Sequence, residues 1–133
     1  MDEKQSKRRL SELTAIAHDR ELSLHLAELE QSFRDWREGS IGPSELSDVI
    51  HRFHDGAARD IYAIYTTLKS EELVARAIGV GLLTEAEVPH EIREPLASLV
   101  THFRDGYQID EDNPLFKLRS RAISTNAAGN RQT

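Results

Sequence analysis

Six histidines and three tyrosines carry much of the chemistry open to this chain of 133 residues, because it has no cysteine. His51, His54, Ala58, Tyr62 and Tyr65 recur at 3-4-4-3 spacing, which on an α-helix sets them along one stripe. Imidazole and phenol are too polar for a deep core and too bulky for an indifferent surface. Side chains of this kind favour half-dry places: a helix flank, a groove or a protein interface. His51, His54, Tyr62 and Tyr65 are therefore the candidate binding surface, with plain flank packing as the simpler explanation. The sharper chemical alternative is a metal site. If two antiparallel helices fold about residue 41, residue 28 lies level with residue 54, and His25 falls about one turn from His54 and Asp55. Two imidazoles and a carboxylate suit a divalent ion.

His54-Asp55 resembles the dipeptide that metal-dependent phosphohydrolases of the HD superfamily carry on a helix, and His18-Asp19 repeats it. The resemblance covers those two residues. It implies a metal-dependent hydrolase in which His25, His54 and Asp55 act together. Other catalytic constellations fit less well. Asp48-x-x-His51 and Glu87-x-x-His90 imitate the paired motif of a di-iron bundle, but the second straddles Pro89 at a helix start. Arg20 and His25 have the spacing of a helical RNA-cleaving site, which this content of arginine and histidine also supplies by chance. No serine stands on a Gly-x-Ser-x-Gly turn. No cofactor is expected.

The elements that must position these residues are helical. Leu22, Leu26, Leu29, Phe33 and Trp36 form a heptad-like seam on a first helix over about 5–37. Leu10, Leu13, Ala17 and Leu24 form a second seam nearly opposite, so the helix is either sandwiched or broken near His18-Asp19; with no Gly or Pro to interrupt it, an unbroken or gently bent helix is expected. Gly39 can end this helix in a left-handed conformation, and Pro43 suits the first position of the next. So short a link predicts an antiparallel hairpin. The second helix, about 43–68, has Leu46, Val49, Ile50, Phe53, Ala57, Ile61, Ile64 and Leu68 as its core stripe. On its solvent side Asp48–Arg52 and Asp55–Arg59 are acid-before-base pairs. Ser70-Glu71-Glu72 opens a further helix that Gly79 and Gly81 weaken, and Thr84-Glu85-Ala86-Glu87 is a capping box. Ile92, Leu96, Leu99, Val100 and Phe103 mark a helix to about 105, kinked or restarted at Pro95.

The expected fold is all-α: an antiparallel helical hairpin extended to a small helical bundle over 1–106. A polar, basic tail over 107–133 follows, largely disordered except where Leu115, Phe116 and Leu118 dock.

Charge narrows the partners. The net charge of −6 hides a split, because residues 1–9 carry four basic against two acidic residues and residues 117–133 carry four basic and none acidic. The stretch between them holds 9 basic and 21 acidic residues and repels phosphate backbones. Nucleic acid is unlikely except through the basic termini. No apolar run is long enough to span a membrane and no secretory signal opens the chain, so a cytoplasmic protein is expected. The leading expectation is a non-enzymatic, protein-binding or regulatory module, antitoxin-, immunity- or inhibitor-like by composition, taking a basic protein partner. The opposed seams also leave room for a homo-oligomer. The alternatives are the HD-type hydrolase and a nucleic-acid accessory protein.

Overall fold

The computed structural model describes the backbone of residues 1–131 and the side chains of residues 1–125. Every regular element among them is helical: α1 (Glu3–Arg37), α2 (Pro43–Arg52), a π-helical segment (Phe53–Ala58), α3 (Arg59–Thr67), α4 (Ser70–Val80), α5 (His90–Arg93), α6 (Ala97–Asp105) and α7 (Pro114–Arg131). No helix among the described residues is long and apolar enough to cross a membrane. The chain divides into two compact units, Met1–Ala17 with Leu68–Thr133, and His18–Thr67.

The first unit is built on α4. Residues 73–80 are all buried, one after another, so this helix is enclosed on every side. A helix that is apolar all round belongs in a core. The exception is Arg76, 2% exposed, whose guanidinium lies 5.6 Å from the centre of the Tyr107 ring. α6 packs along α4, and α7 beside it. Gly81 ends α4 at φ 89°, and a Cβ there would stand 3.0 Å from the Leu118 carbonyl of α7. Leu10, Leu13 and Ala17 of α1 are buried in this unit together with Leu83, Val88, Ile92, Leu96, Val100, Phe103 and Leu115. The two opposed seams of α1 thus need neither a sandwich nor a break. The helix runs through unbroken: Leu10, Leu13 and Ala17 belong to the first unit, whereas Leu24 and the Leu22–Trp36 seam belong to the second.

Local chemistry explains the boundaries. The Glu87 carboxylate accepts a hydrogen bond from the Thr84 backbone N–H (2.9 Å), the cap expected there. α4 is capped one residue earlier than the serine suggests: Glu72 accepts from the backbone N–H of Lys69, and Ser70 is the first helical residue. Pro95 sits in a 3-10 turn, Glu94–Leu96, after which the helix restarts at Ala97.

The C-terminal segment docks at its start: Leu115 is buried as predicted, and the Asn113 side-chain oxygen accepts from its N–H (3.0 Å). The backbone then continues as helix α7. Leu118, one of the residues expected to dock, lies against Gly81 together with Ala122. The expected disorder of Gln132 and Thr133 lies outside the described residues.

The second unit is the hairpin. Ser40 and Ile41 N–H groups bond back to the Asp35 carbonyl, Gly39 takes φ 83°, and Pro43 opens α2. The far end is closed by Tyr65, whose hydroxyl donates to Glu21 (2.8 Å) and whose ring meets His18 edge-on at 5.0 Å. Residue 65 beside residues 18 and 21 is the antiparallel register that folding near residue 41 demands.

The packing within this register differs from the sequence reading. Glu21, not one of the leucines, is the buried residue of this half of α1, and Leu26 and Trp36 of the expected seam are 44% and 41% exposed. On the returning strand of the hairpin only Leu46 and Ile61 are buried, and Ile50 is 40% exposed. Periodicity identified an apolar face correctly but could not say what covers it.

Candidate binding surface

The residues singled out for function lie on the returning limb of the hairpin, which the π-helical segment interrupts. A π turn, with i→i+5 bonding, holds one residue more than an α turn. One inserted residue rotates everything beyond it by roughly 100°. The 3-4-4-3 stripe is therefore not a single line. Before and within the interruption, His51 and His54 are exposed; beyond it, Tyr62 is 71% exposed while Tyr65 is half-buried against His18 and Glu21. Tyr62 is the most exposed large apolar side chain among the described residues.

Asp55 sits between the two histidines. Its carboxylate takes His51 Nε2 at 2.9 Å and His54 Nδ1 at 3.3 Å. The His54 hydrogen bond first, then the charge of His51, hold the Asp55 carboxyl below the ordinary aspartate value of 3.8. A lowered carboxyl keeps its charge as the pH falls, so on the Asp55 side the pairing is lost only below the ordinary value; as an ion pair it also requires protonated imidazoles. The expected Asp55–Arg59 pair is secondary to these contacts, with Arg59 adding the weakest of the attractions.

The metal arrangement is not assembled. No group of three or more His, Asp or Glu side chains stands at metal-binding spacing among the described residues, so His25 is not gathered with His54 and Asp55. His25 is half-buried on α1, whereas His54 is exposed. The hairpin register puts His25 about one turn from His54, but spacing does not fix the direction in which each side chain leaves its helix.

Several basic residues near the termini already have partners. Lys7 pairs with Glu3, Arg9 bonds Glu12 and the Glu87 carbonyl, and Arg119 donates to the Tyr107 carbonyl and lies over the Phe116 ring. These contacts reduce the positive charge available to a phosphate backbone.

What the histidine–tyrosine stripe did not reveal is the apolar surface in the same unit. Leu26, Trp36, Ile50 and Tyr62 are all exposed, and Leu26, Leu29 and Phe33 line a shallow groove along α1 bordered by Glu30, Arg34 and Arg37. Compared with known protein families, curated proteins and solved structures, the chain matches none.

Proposed function

We propose that this chain is a non-enzymatic protein-binding module that acts through the surface of the hairpin His18–Thr67. The observation that carries the reading is the hairpin's shortage of interior. Of its fifty residues only Glu21, Leu46 and Ile61 are buried, while Leu26, Trp36, Ile50 and Tyr62 face solvent. Aromatic residues carry a disproportionate share of binding energy at protein interfaces, and Trp36 and Tyr62 are exposed here. His51 and His54 supply polar, adaptable contacts. Tyr65 supports the surface from beneath, since its hydroxyl is committed to Glu21. The hairpin carries ten acidic residues against five arginines, which favours a partner with a basic face.

Affinity capture tests the reading. A tagged chain is expressed in its own host, and recovered proteins are identified by mass spectrometry. Tyr62→Ala and Trp36→Ala each remove an anchor without disturbing a core, so helicity measured by circular dichroism stays at the wild-type value. Each should weaken capture about thirtyfold, the effect of losing roughly 2 kcal/mol at an interface hot spot. Leu99→Ala, at an exposed position of α6, should leave capture intact. Equal recovery by all three variants would count against the proposal.

A further inference from the structure

The first unit has a cavity of about 450 Å³ between the end of α4, the turn that follows, α6 and α7. That size lies within the roughly 300–1,000 Å³ of small-molecule sites. Four aliphatic side chains, Ile78, Leu83, Leu118 and Ala122, give it an apolar floor with no aromatic ring. Three charged groups, Arg104, Arg121 and Glu85, share the rest of the lining with Gly81, Thr84 and Thr125.

The arginines are poorly satisfied. Arg104 has a side chain only 17% exposed, and its Nε is buried without a hydrogen-bond partner among the described residues. Its Nη2 stands 3.6 Å from the Glu85 carboxylate, too far for a hydrogen bond. The buried Nε is closed to an entering group, but the outer Nη pair of a guanidinium is also a two-pronged donor that fits a carboxylate. Arg121 is exposed and makes no ion pair among the described residues. Two arginines against one glutamate leave a single positive charge for an entering group. A dianion would be repelled by Glu85, whereas a monoanion balances the site.

From this combination we infer that the cavity is a binding site for a small organic monocarboxylate with a saturated apolar body. The carboxylate accepts from Arg104 and Arg121, and the hydrocarbon lies on the Ile78, Leu83, Leu118 and Ala122 floor. This site belongs to the first unit and does not depend on the hairpin surface.

Sodium octanoate is the probe, titrated into the full chain and followed by amide chemical shifts and by calorimetry. Saturable shifts are expected at Gly81, Leu83 and Ala122. Octan-1-ol, which keeps the body and lacks the charge, should bind at least tenfold more weakly. Ala122→Phe, which fills the cavity, should abolish the shifts. Arg121→Gln, an exposed substitution that leaves the packing alone, should weaken octanoate severalfold. Saturable binding that needs both the charge and the empty cavity supports the site. Absence of saturable shifts in the wild-type protein, equal affinity for the alcohol, or binding unchanged in Arg121→Gln overturns it.

Discussion

Gly79→Val is expected to be the most damaging single substitution in the first unit. A Cβ at this position would stand 2.8 Å from the Phe103 Cβ and 3.0 Å from both the Arg104 backbone nitrogen and the Val100 carbonyl oxygen. Two of these three neighbours are main-chain atoms of α6, which cannot turn aside as a flexible side chain can. The substituted protein must either push α6 away from α4, opening the core, or leave α4 distorted. Overpacking by one methyl group already costs about 1–3 kcal/mol, and valine adds two more carbons to the same contact. We expect a loss of about 4 kcal/mol, close to the whole stability of a marginal domain. Gly79→Ala should lose roughly 2 kcal/mol, even though alanine by itself favours a helix over glycine by about 1 kcal/mol. Urea denaturation followed by circular dichroism measures both. The control is Gly56→Ala in the hairpin, where a Cβ meets nothing within 4 Å. It should be neutral or slightly stabilising, because only the cost of helical glycine is removed. A Gly79→Val protein as stable as wild type would mean that α4 and α6 are not in the contact described.

Arg76→Ala should have the second-largest effect, a loss of about 3 kcal/mol in the same measurement. Arg76 is as buried as the leucines around it, and its guanidinium lies over the Tyr107 ring. Truncation removes the longest side chain in the centre of α4 and leaves a void. It also removes a cation from surroundings arranged to compensate one, and an enclosed polar arrangement is worth most when complete. Arg76→Lys should recover little of the loss, since a compact ammonium on a narrower stem neither fills the space nor lies flat on the tyrosine ring. Loss of less than 1 kcal/mol in Arg76→Ala would show that the charge is not part of the core.

These two positions mark where the sequence is hard to read. Gly79 and Gly81 register locally as poor helix formers, because propensity counts only the entropy of the residue itself. Their value lies in the approach of α6 and α7, which no local rule contains. Arg76 and Glu21 read as solvated charges, because most arginines and glutamates are. Only the assembled core turns them inward. The π-helical segment at Phe53–Ala58 leaves no pattern in composition, and by rotating the limb beyond it, it takes Tyr62 and Tyr65 out of line with His51 and His54 on what reads as one stripe.

The hairpin itself was legible, for the opposite reason. Gly39 with its positive φ, Pro43 at the start of α2 and the link of a few residues between them specify a reversal through backbone chemistry confined to that stretch. The restart at Pro95 and the Thr84–Glu87 cap follow from equally local causes. The heptad-like seam Leu22–Trp36 was legible as an apolar face. Its exposure at Leu26 and Trp36 was not, because spacing describes a helix and not its neighbours. That gap between an apolar face and its missing cover is what gives the hairpin its proposed role.

The most direct test of that role places a photo-crosslinking phenylalanine at position 62 in one version of the chain and at position 98, an exposed site on α6, in another. Both are irradiated in the native host. The account predicts a discrete protein adduct at position 62 that excess unlabelled wild-type chain competes away, and no such adduct at position 98. A second copy of the chain would register as an adduct of twice the mass. No adduct at position 62, or the same adducts at both positions, would contradict the assignment of the hairpin as a binding surface.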